Sequence, residues 1–470
     1  MEDLWAISGI DLHLELAGPG KARSLEAALR AAIRDARLAP GTRIPSSRTL
    51  AADLGLSRNT VAAVFDLLVA EGWLQAKTGA GTWVSARPGP AAAAAAEAPP
   101  ASLPRFDLRG GVPNPGLFPR QNWSSAMRRV ITDSVASDFG YSHPQGVPAL
   151  RSALADYLAR TRGTRSSAES VLVAPGFGDL LAIACRALVA AGARRVAVEE
   201  YGHDVHRRII EAAGLRVAPV AVDADGIVVT DLQSADADAV LVTPAHQFPT
   251  GVPLAAHRRR ELVQWAERSG ALVLEDDYDG EFRFDRRSIG ALQALAPQQV
   301  LYLGTASKSL APALGLAWGI VPERMLAALL EQRELAGSRS DGITQLTLAE
   351  FMRSTAYDRH LRRVRSAYRL RREAVEAACE SLSSECRISG LPAGLHCLLE
   401  LPRCADEEAI SSRALELGVL FHGLSSYLPR EWQSNRGPAM VIGYGAPPDH
   451  RFDDAISAAL RAVTDVLGSP

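Results

Sequence analysis

The sequence predicts an α/β protein in which a small helical domain precedes a large domain built on a parallel sheet. From residue 105 onward, short apolar strands such as Val171–Ala174 and Val300–Gly304 alternate with helical patterns. Buried strands separated by helices favour a doubly wound, mostly parallel sheet. Residues 1–85 instead carry three helical patterns and a hairpin signal, and residues 86–104 are rich in proline and alanine. We therefore predict domains at 1–85 and 105–470, joined by a linker without a core.

The first domain is predicted to be a winged helix-turn-helix. Ser24 can cap a first helix, a second covers residues 48–54, and Ser57 can cap a third with apolar side chains at i, i+3, i+4 and i+7. Residues 73–76 and 82–85 have the character of two hairpin strands. Three helices followed by a hairpin are typical of this DNA-binding fold. A small helical domain that binds other proteins is the alternative.

Basic residues concentrate where such a domain would meet DNA. Residues 21–58 hold eight Lys or Arg against three Asp or Glu, a balance of +5, although the whole chain has a net charge of −2. A concentrated basic face is the expected footprint for phosphates, and the start of the third helix is where bases are met. The residues predicted to contact DNA are Arg43, Ser46, Ser47, Arg48, Ser57, Arg58, Asn59, Thr60, Lys77, Thr78 and Gly79.

Composition excludes several classes of protein. With 47% apolar and 22% charged residues the chain has a globular composition rather than a disordered one. The five cysteines form neither a CxxC pair nor a cluster at metal-binding spacing, which indicates a reducing compartment and no metal site. Neither a signal peptide nor an apolar run of membrane-spanning length is present. We expect a cytoplasmic protein with no membrane partner.

In the second domain, polar residues follow several strands at the edge where doubly wound sheets bind ligands. They include Gly176-Phe-Gly-Asp179, Pro244-Ala-His-Gln-Phe-Pro-Thr-Gly251 and Glu275-Asp-Asp-Tyr278. Lys308 directly follows an apolar strand, where desolvation lowers an amine pKa enough for Schiff-base chemistry. An exposed loop lysine is the ordinary alternative. Residues 105–340 are predicted to form a large lobe and 341–470 a smaller α+β lobe.

The quoted stretches resemble two families. Pro40-Gly-Thr-Arg-Ile-Pro-Ser-Ser-Arg-Thr-Leu-Ala51 and Leu54-Gly-Leu-Ser-Arg-Asn-Thr-Val61 resemble the GntR DNA-binding domain. The polar stretches of the second domain, with Tyr141-Ser-His-Pro-Gln-Gly146 and Gly394-Leu-His396, resemble fold type I aminotransferases, which depend on pyridoxal 5′-phosphate (PLP). The whole chain is similar to the MocR subfamily of GntR regulators, in which the two domains are fused.

The resemblance implies a PLP site and assigns roles within it. Lys308 would form the Schiff base, Asp276 would pair with the pyridine nitrogen and Tyr278 would hydrogen-bond the phenolic oxygen. His246 and Gln247 would line the same edge, and His203 falls at the position of the ring-stacking tyrosine. The phosphate would be received by Gly176, Phe177, Gly178, Thr305 and Ser307.

Three positions depart from the family pattern. Gly315 stands where an arginine usually grips the phosphate, Asp179 stands near the expected phosphate, and Val441 stands near the place of the carboxylate-binding arginine. Losing a bidentate contact between an arginine and a phosphate costs on the order of 2 kcal/mol. An Arg-rich helix at 359–372 has the spacing of a solvated face with ion pairs, and a second DNA surface or a domain contact are its other possible roles.

Three functions follow from these observations. The first is a transcriptional regulator that senses PLP or a PLP-reactive amine through Lys308 and forms a head-to-tail homodimer on operator DNA. The second is an active aminotransferase with an appended DNA-binding domain, which the missing arginine at Val441 disfavours. The third is a regulator that has lost PLP and senses another ligand. The sequence favours the first, and hence a sensor rather than an enzyme.

Overall fold

The structure, a computed structural model, describes residues 20–77, 81–85, 104–284 and 289–468. The chain forms two compact units, Met1–Leu103 and Pro104–Pro470. None of the described helices combines the length and the apolar character needed to cross a bilayer.

The N-terminal unit is a three-helix domain with a small sheet. Its elements are α1 (Lys21–Arg34), β1 (Arg43–Ile44), α2 (Ser47–Asp53), α3 (Arg58–Ala70), β2 (Leu74–Lys77) and β3 (Gly81–Val84). β3 lies between β1 and β2 and runs antiparallel to both. Apolar side chains of all three helices and of the sheet pack into one core, as the periodic pattern predicts. The described parts of the predicted winged helix-turn-helix are therefore present.

Serine hydroxyls begin two of these helices. Ser46 Oγ accepts the Thr49 N–H at 3.2 Å, and Ser57 Oγ accepts the Thr60 N–H at 3.1 Å, so the predicted Ser57 cap is correct. The predicted Ser24 cap is wrong, because α1 already begins at Lys21. Ser24 lies in the first turn, and its hydroxyl donates to the Gly20 carbonyl at 3.1 Å. A serine that bonds back to the preceding turn has the same local sequence signal as a cap.

The C-terminal unit is organised around a seven-stranded sheet. Its first elements are β4 (Phe106–Asp107), α4 (Arg120–Asp133), α5 (Pro148–Arg162), β5 (Val171–Ala174), α6 (Phe177–Ala190), β6 (Arg195–Glu199), α7 (Asp204–Ala212), β7 (Arg216–Val220), β8 (Val222–Asp223), β9 (Gly226–Ile227) and α8 (Val229–Ala235). They continue with β10 (Ala239–Val242), α9 (Ala256–Ser269), β11 (Leu272–Asp277), β12 (Val300–Thr305), α10 (Ala306–Ser309), β13 (Ala317–Ile320) and α11 (Glu323–Ala336).

The strand order of the large sheet is β5-β13-β12-β11-β10-β6-β7. β13 is antiparallel to both of its neighbours, and the other pairs are parallel. Separate apolar cores cover the two faces of the sheet, which is why its strands are apolar at almost every position. The predicted doubly wound, mostly parallel sheet is confirmed. The carboxyl ends of β6, β10, β11 and β12 lie along one edge.

A second, four-stranded sheet forms the smaller lobe. The remaining elements are α12 (Gly342–Arg353), α13 (Ala356–Cys379), β14 (Arg387–Ser389), β15 (His396–Glu400), α14 (Glu407–Glu416), β16 (Val419–Leu420), β17 (His422–Gly423), β18 (Ala439–Gly443) and α15 (Phe452–Leu467). The strand order is β14-β15-β18-β17. β4 pairs with β16, so residues 106–107, expected in the large lobe, add to the smaller one.

Helix α13 carries the Arg-rich segment, and two of its arginines are buried rather than solvated. Arg371 is 6% exposed and donates to the carbonyl oxygens of Tyr444, Gly445 and Pro447. Arg372 is 3% exposed and pairs with Glu376 at 2.7 Å. The expectation of a solvated face therefore fails for these two side chains, because they satisfy carbonyl oxygens that helical spacing cannot reveal.

Candidate ligand-binding pocket and DNA-binding surface

A cavity of about 150 Å³ lies where β6, β10, β11 and β12 end. Of the residues predicted to bind a cofactor, its lining includes Lys308, Asp276, Tyr278, His203, Phe177, Thr305 and Ser307. The strand-to-loop transitions of a parallel sheet bring these side chains together, although more than 100 residues separate the first from the last. The predicted ligand edge and the cavity therefore coincide.

Lys308 lies on the short helix α10, one turn after β12. Thr305, the last residue of β12, begins this helix by accepting the Ser307 N–H at 3.1 Å. Burial lowers the pKa of Lys308, while Asp276 and Asp279 act in the opposite direction. Among the described residues, no hydrogen bond or ion pair holds its amine. The position is suited to an amine that reacts with a carbonyl group.

Asp276 is the second ionisable group of the cavity that the prediction singled out. It lies near the end of β11 and is 5% exposed, and its Oδ1 has no hydrogen-bond partner among the described residues. Burial, reinforced by the neighbouring Asp277, raises the pKa of Asp276 well above its usual range, and Lys308 opposes this shift. Asp277 differs, because its two oxygens are held by Arg162 at 2.7 and 2.9 Å and by Tyr302 at 2.7 Å. Of these two neighbouring carboxyl groups, only that of Asp276 keeps an oxygen without a partner among the described residues.

His246 and Gln247 lie behind the cavity wall rather than on it. Tyr278 does line the cavity, and its hydroxyl donates to the His246 carbonyl at 3.1 Å. The His246 ring bonds through Nδ1 to Asp279 at 2.8 Å. Gln247 donates to the Tyr201 carbonyl at 3.1 Å and accepts the Thr250 hydroxyl at 2.6 Å. The two side chains thus support the wall that presents Tyr278.

The other end of the cavity is formed by the start of α6. Gly176 precedes this helix, and no side chain caps it, so the amides of its first turn face the solvent or a ligand. Phe177 lines the cavity, whereas Gly176 and Gly178 are outside its lining. Thr305 Oγ1 donates to Ser307 Oγ at 3.0 Å on the same side. Free amides and hydroxyls at a helix start are a suitable site for an anion.

Ten other lining residues were missed by the sequence analysis, and they include Phe248, Glu199, His206 and Arg207. Phe248 stacks on His203, and the His206 ring contacts Phe177 with a centroid distance of 4.7 Å. Burial lowers the pKa of His203 to about 4 and that of His206 to about 3, so both rings are neutral. Phe248 and Glu199 lie inside polar stretches at strand ends, which was the available signal for them.

The residues predicted to bind DNA divide into exposed and capping groups. Arg48, Arg58 and Asn59 are exposed at the starts of α2 and α3. Ser46 and Ser57 cap these helices, and Thr60 donates to Ser57, so part of their hydrogen-bonding capacity serves the fold. Thr78 and Gly79 lie outside the described residues, and Ser47 begins α2.

Two more predicted DNA residues flank an aromatic ring of the sheet. The Arg43 guanidinium and the Lys77 amine each lie 5.7 Å from the centre of the Trp83 ring. Cation–π contacts of this kind are worth about 0.5–1 kcal/mol at exposed sites. The ring therefore holds two cations close together on β1 and β2.

Comparison with known proteins gives the family. Residues 21–84 match the model of bacterial regulatory proteins of the gntR family, and residues 114–426 match that of class I and II aminotransferases. The chain is 32% identical over 462 residues to the probable rhizopine catabolism regulatory protein MocR of Rhizobium meliloti, spanning 94% of this chain and 93% of that protein. It belongs to the MocR subfamily of GntR-type transcriptional regulators. The predicted family and the predicted role as a transcriptional regulator are thereby confirmed.

A further regulator and two solved aminotransferase structures are also similar to this chain. The pyridoxine biosynthesis transcriptional regulator PdxR of Corynebacterium glutamicum is 32% identical over 436 residues, 92% of each chain. An archaeal alanine:glyoxylate aminotransferase matches 77% of this chain and 91% of its own with a TM-score of 0.70 at 21% identity. The kynurenine aminotransferase of Pyrococcus horikoshii matches with a TM-score of 0.69 at 20% identity. These enzymes show the fold of the C-terminal unit, which is that of PLP-dependent enzymes.

In this MocR-type regulator, two of the departures from the family pattern have a structural setting. Gly315 adopts a left-handed conformation with φ 56°, and a Cβ there would approach the Pro175 carbonyl oxygen to 3.0 Å. An arginine at this position would be strained. Asp179 points away from the cavity lining, and its Oδ1 accepts the Ser338 hydroxyl at 2.8 Å.

Proposed function

We propose that this MocR-type regulator binds PLP through a Schiff base on Lys308 and that occupancy of the pocket changes how its DNA-binding unit engages an operator. The observation that carries the proposal is the presence of Lys308 and Asp276 in the lining of one buried cavity. The sequence has lysine at positions 21, 77 and 308 and nowhere else. Lys308 is therefore the single lysine of residues 104–470 that can hold an aldehyde.

The residues of the cavity fit the cofactor at both ends. The unpartnered Oδ1 of Asp276 is a buried acceptor that a protonated pyridine nitrogen would satisfy. The uncapped first turn of α6 and the hydroxyl of Ser307, which Thr305 orients by donating to it, supply donors for the phosphate without an arginine. PLP would contribute the aldehyde, and Lys308 would contribute an amine whose lowered pKa keeps a fraction unprotonated.

A sensor fits the cavity better than an enzyme does. Val441 is fully buried on β18 among apolar neighbours, where a substrate carboxylate would need a cation. Turnover depends on a substrate held in one orientation, and a sensor needs occupancy alone. We therefore propose that the protein regulates transcription without sustained transamination. We further propose that it acts in the cytoplasm as a head-to-tail homodimer. The proposal of a homodimer is supported by an exposed apolar surface, which consists of Val135 (62% exposed), Phe139 (56% exposed) and Tyr141 (96% exposed).

The test is the visible absorbance of the purified full-length protein after incubation with PLP. We expect an imine band that is absent from Lys308→Ala and retained in the double variant Lys21→Ala/Lys77→Ala. Borohydride reduction followed by peptide mass spectrometry should place the modification on Lys308. A band that survives in Lys308→Ala contradicts the assignment.

A gel shift on the DNA upstream of the protein's own gene tests the regulatory step. We expect PLP to change the affinity of the wild-type protein at least threefold and to leave that of Lys308→Ala unchanged. An equal response of the two proteins to PLP would show that the pocket does not control DNA binding.

A further inference from the structure

One wall of the cavity is formed by Gly111 and Phe248 and is apolar, and Gly110 packs against the same Phe248 ring. A Cβ added to Gly110 would lie 2.9 Å from Cγ1 of Val441 and 3.3 Å from Cε2 of Phe248. A Cβ added to Gly111 would lie 3.5 Å from the same Phe248 atom. The backbone therefore passes between Phe248, which lines the cavity, and Val441, which is fully buried behind it. A ligand that meets this wall finds no polar side chain on it.

Neither cation of the cavity lining offers a pair of N–H groups to a carboxylate. Among the described lining residues, Lys308 and Arg207 are the cations. The Nη1 of Arg207 donates to the carbonyl oxygens of Gly202 at 3.2 Å and Tyr427 at 3.3 Å. Its guanidinium lies 5.7 Å from the centre of the Trp432 ring, and its Nε is buried without a partner. Nη2 of Arg207 lies 3.7 Å from Oδ1 of Asp204, so Nη1 and Nη2 both face protein groups and only the single Nε–H remains, which is not the pair of N–H groups that a bidentate contact to a carboxylate needs.

The other ionisable groups of the lining offer no positive charge to the carboxylate of a ligand. Asp276 and Glu199 are carboxylic acids, and the imidazoles of His203 and His206 are neutral because burial lowers their pKa values. A carboxylate moved from water into such surroundings loses its hydration without gaining an ion pair. An amine with an alkyl or aromatic substituent meets no such penalty at the apolar wall.

We infer that the space above Lys308 selects primary amines that carry no carboxylate, so that the effector class is a simple alkyl or aromatic amine rather than an amino acid. This inference rests on the proposed function, because the amine acts by displacing Lys308 from the PLP carbon. In that exchange one C–N bond forms to the incoming nitrogen as the bond to Nζ breaks. Two protons pass from the incoming nitrogen to Nζ, so neither water nor an oxidant is consumed.

Matched pairs of ligands test this selection on the full-length, PLP-loaded protein. Alanine is ethylamine with a carboxylate on the carbon that bears the nitrogen, and 2-aminobutyrate bears the same relation to propylamine. Absorbance and thermal shift are recorded against the concentration of unprotonated amine, which removes the difference in amine basicity. We expect each amine to reach half-saturation at a concentration at least tenfold lower than its amino acid. Equal half-saturation, or a preference for the amino acid, would overturn the inference.

A cation placed on the wall should reverse the preference. Phe248→Arg presents a guanidinium to the cavity, and Phe248→Leu is the matched control that opens the same space without charge. We expect Phe248→Arg to lower the half-saturating concentration of alanine at least tenfold relative to Phe248→Leu. If the two variants respond alike, the missing charge is not what excludes the carboxylate.

The outcomes separate this inference from the proposed function. If no imine band forms with PLP, both fail together. If the band forms on Lys308 and the amines show no advantage over the amino acids, the inference alone fails.

Discussion

Phe248 stacks on His203, with ring centroids 3.9 Å apart and ring planes 18° apart. Both rings line the cavity, and His203 is the residue predicted to stack on the cofactor. At this separation no third ring fits between them. A pyridine ring that stacks on the face of His203 covered by Phe248 must therefore displace Phe248, and separating the two rings reduces the net binding energy of the cofactor.

Phe248→Leu should strengthen PLP binding. An aromatic pair contributes about 0.5–1.5 kcal/mol beyond its buried area, so removing the competing ring should lower the dissociation constant by up to about tenfold. The measurement is a titration of the absorbance band with PLP. The double variant His203→Leu/Phe248→Leu is the control, since it also lacks the ring on which PLP would stack. Unchanged or weaker binding by Phe248→Leu would mean that the pair does not compete with the cofactor.

Asp276→Asn should weaken PLP binding while stabilising the PLP-free protein. A hydrogen bond to a charged group contributes about 1.5–3 kcal/mol, so the dissociation constant should rise by roughly 10- to 100-fold. Without the cofactor, the same change removes a buried carboxyl group that must keep its proton in the folded state, because burial raises its pKa, and the melting temperature at neutral pH should increase.

Asp277→Asn is the matched control for that experiment. Asp277 is equally buried but is held by Arg162 and Tyr302, so its loss should lower the melting temperature and leave PLP affinity close to that of the wild type. Identical behaviour of the two variants would remove Asp276 from the proposed site.

Glu199 should make stability fall as the pH rises. Burial raises its pKa to about 7, although hydrogen bonds from Thr243 and Gln247 oppose the shift. The folded state therefore keeps a proton that the unfolded state releases from about pH 4.5 upward, and the free energy of unfolding decreases between these two pKa values. The loss is complete above pH 7 and amounts to about 3 kcal/mol at most.

Glu199→Gln removes this titration. Relative to the wild type, its melting temperature should gain little at pH 4.5, gain progressively up to pH 7 and remain constant above it. Thermal unfolding across pH 4.5–8.5 measures the difference. A gain that does not depend on pH would show that Glu199 stays ionised in the folded protein.

The sequence predicted those parts of the site that depend on local chemistry. Apolar strands followed by polar residues located Asp276 and Lys308, because a parallel sheet always gathers its carboxyl ends at one edge. Another local signal, a serine directly before an apolar helical pattern, predicted the Ser57 cap. It could not find the stacking of Phe248 on His203, since the two residues are 45 positions apart and meet only through the packing of separate loops.

Tertiary contacts also explain the other differences. His246 and Gln247 follow a strand as the lining residues do, yet they turn inward to bond Asp279 and Thr250. Arg371 lies in a charged helical pattern, but it is buried because the carbonyl oxygens of residues 444–447 need donors. The spacing of residues along the chain does not show into which part of the fold these side chains point.

Arg58→Ala should strongly weaken specific binding to the operator without affecting the fold. Arg58 is the exposed first residue of α3, and the cap of this helix is made by Ser57 and Thr60 rather than by Arg58. Loss of a base contact costs about 1–3 kcal/mol, and loss of a phosphate contact would instead reduce the salt slope by about one. Gel shifts at several salt concentrations distinguish the two roles, with circular dichroism to verify folding. Arg362→Ala, an exposed arginine on α13, is the control and should bind DNA as the wild type does. Wild-type affinity in Arg58→Ala would exclude the start of α3 from the DNA interface, and weaker binding by Arg362→Ala would make α13 a second DNA surface.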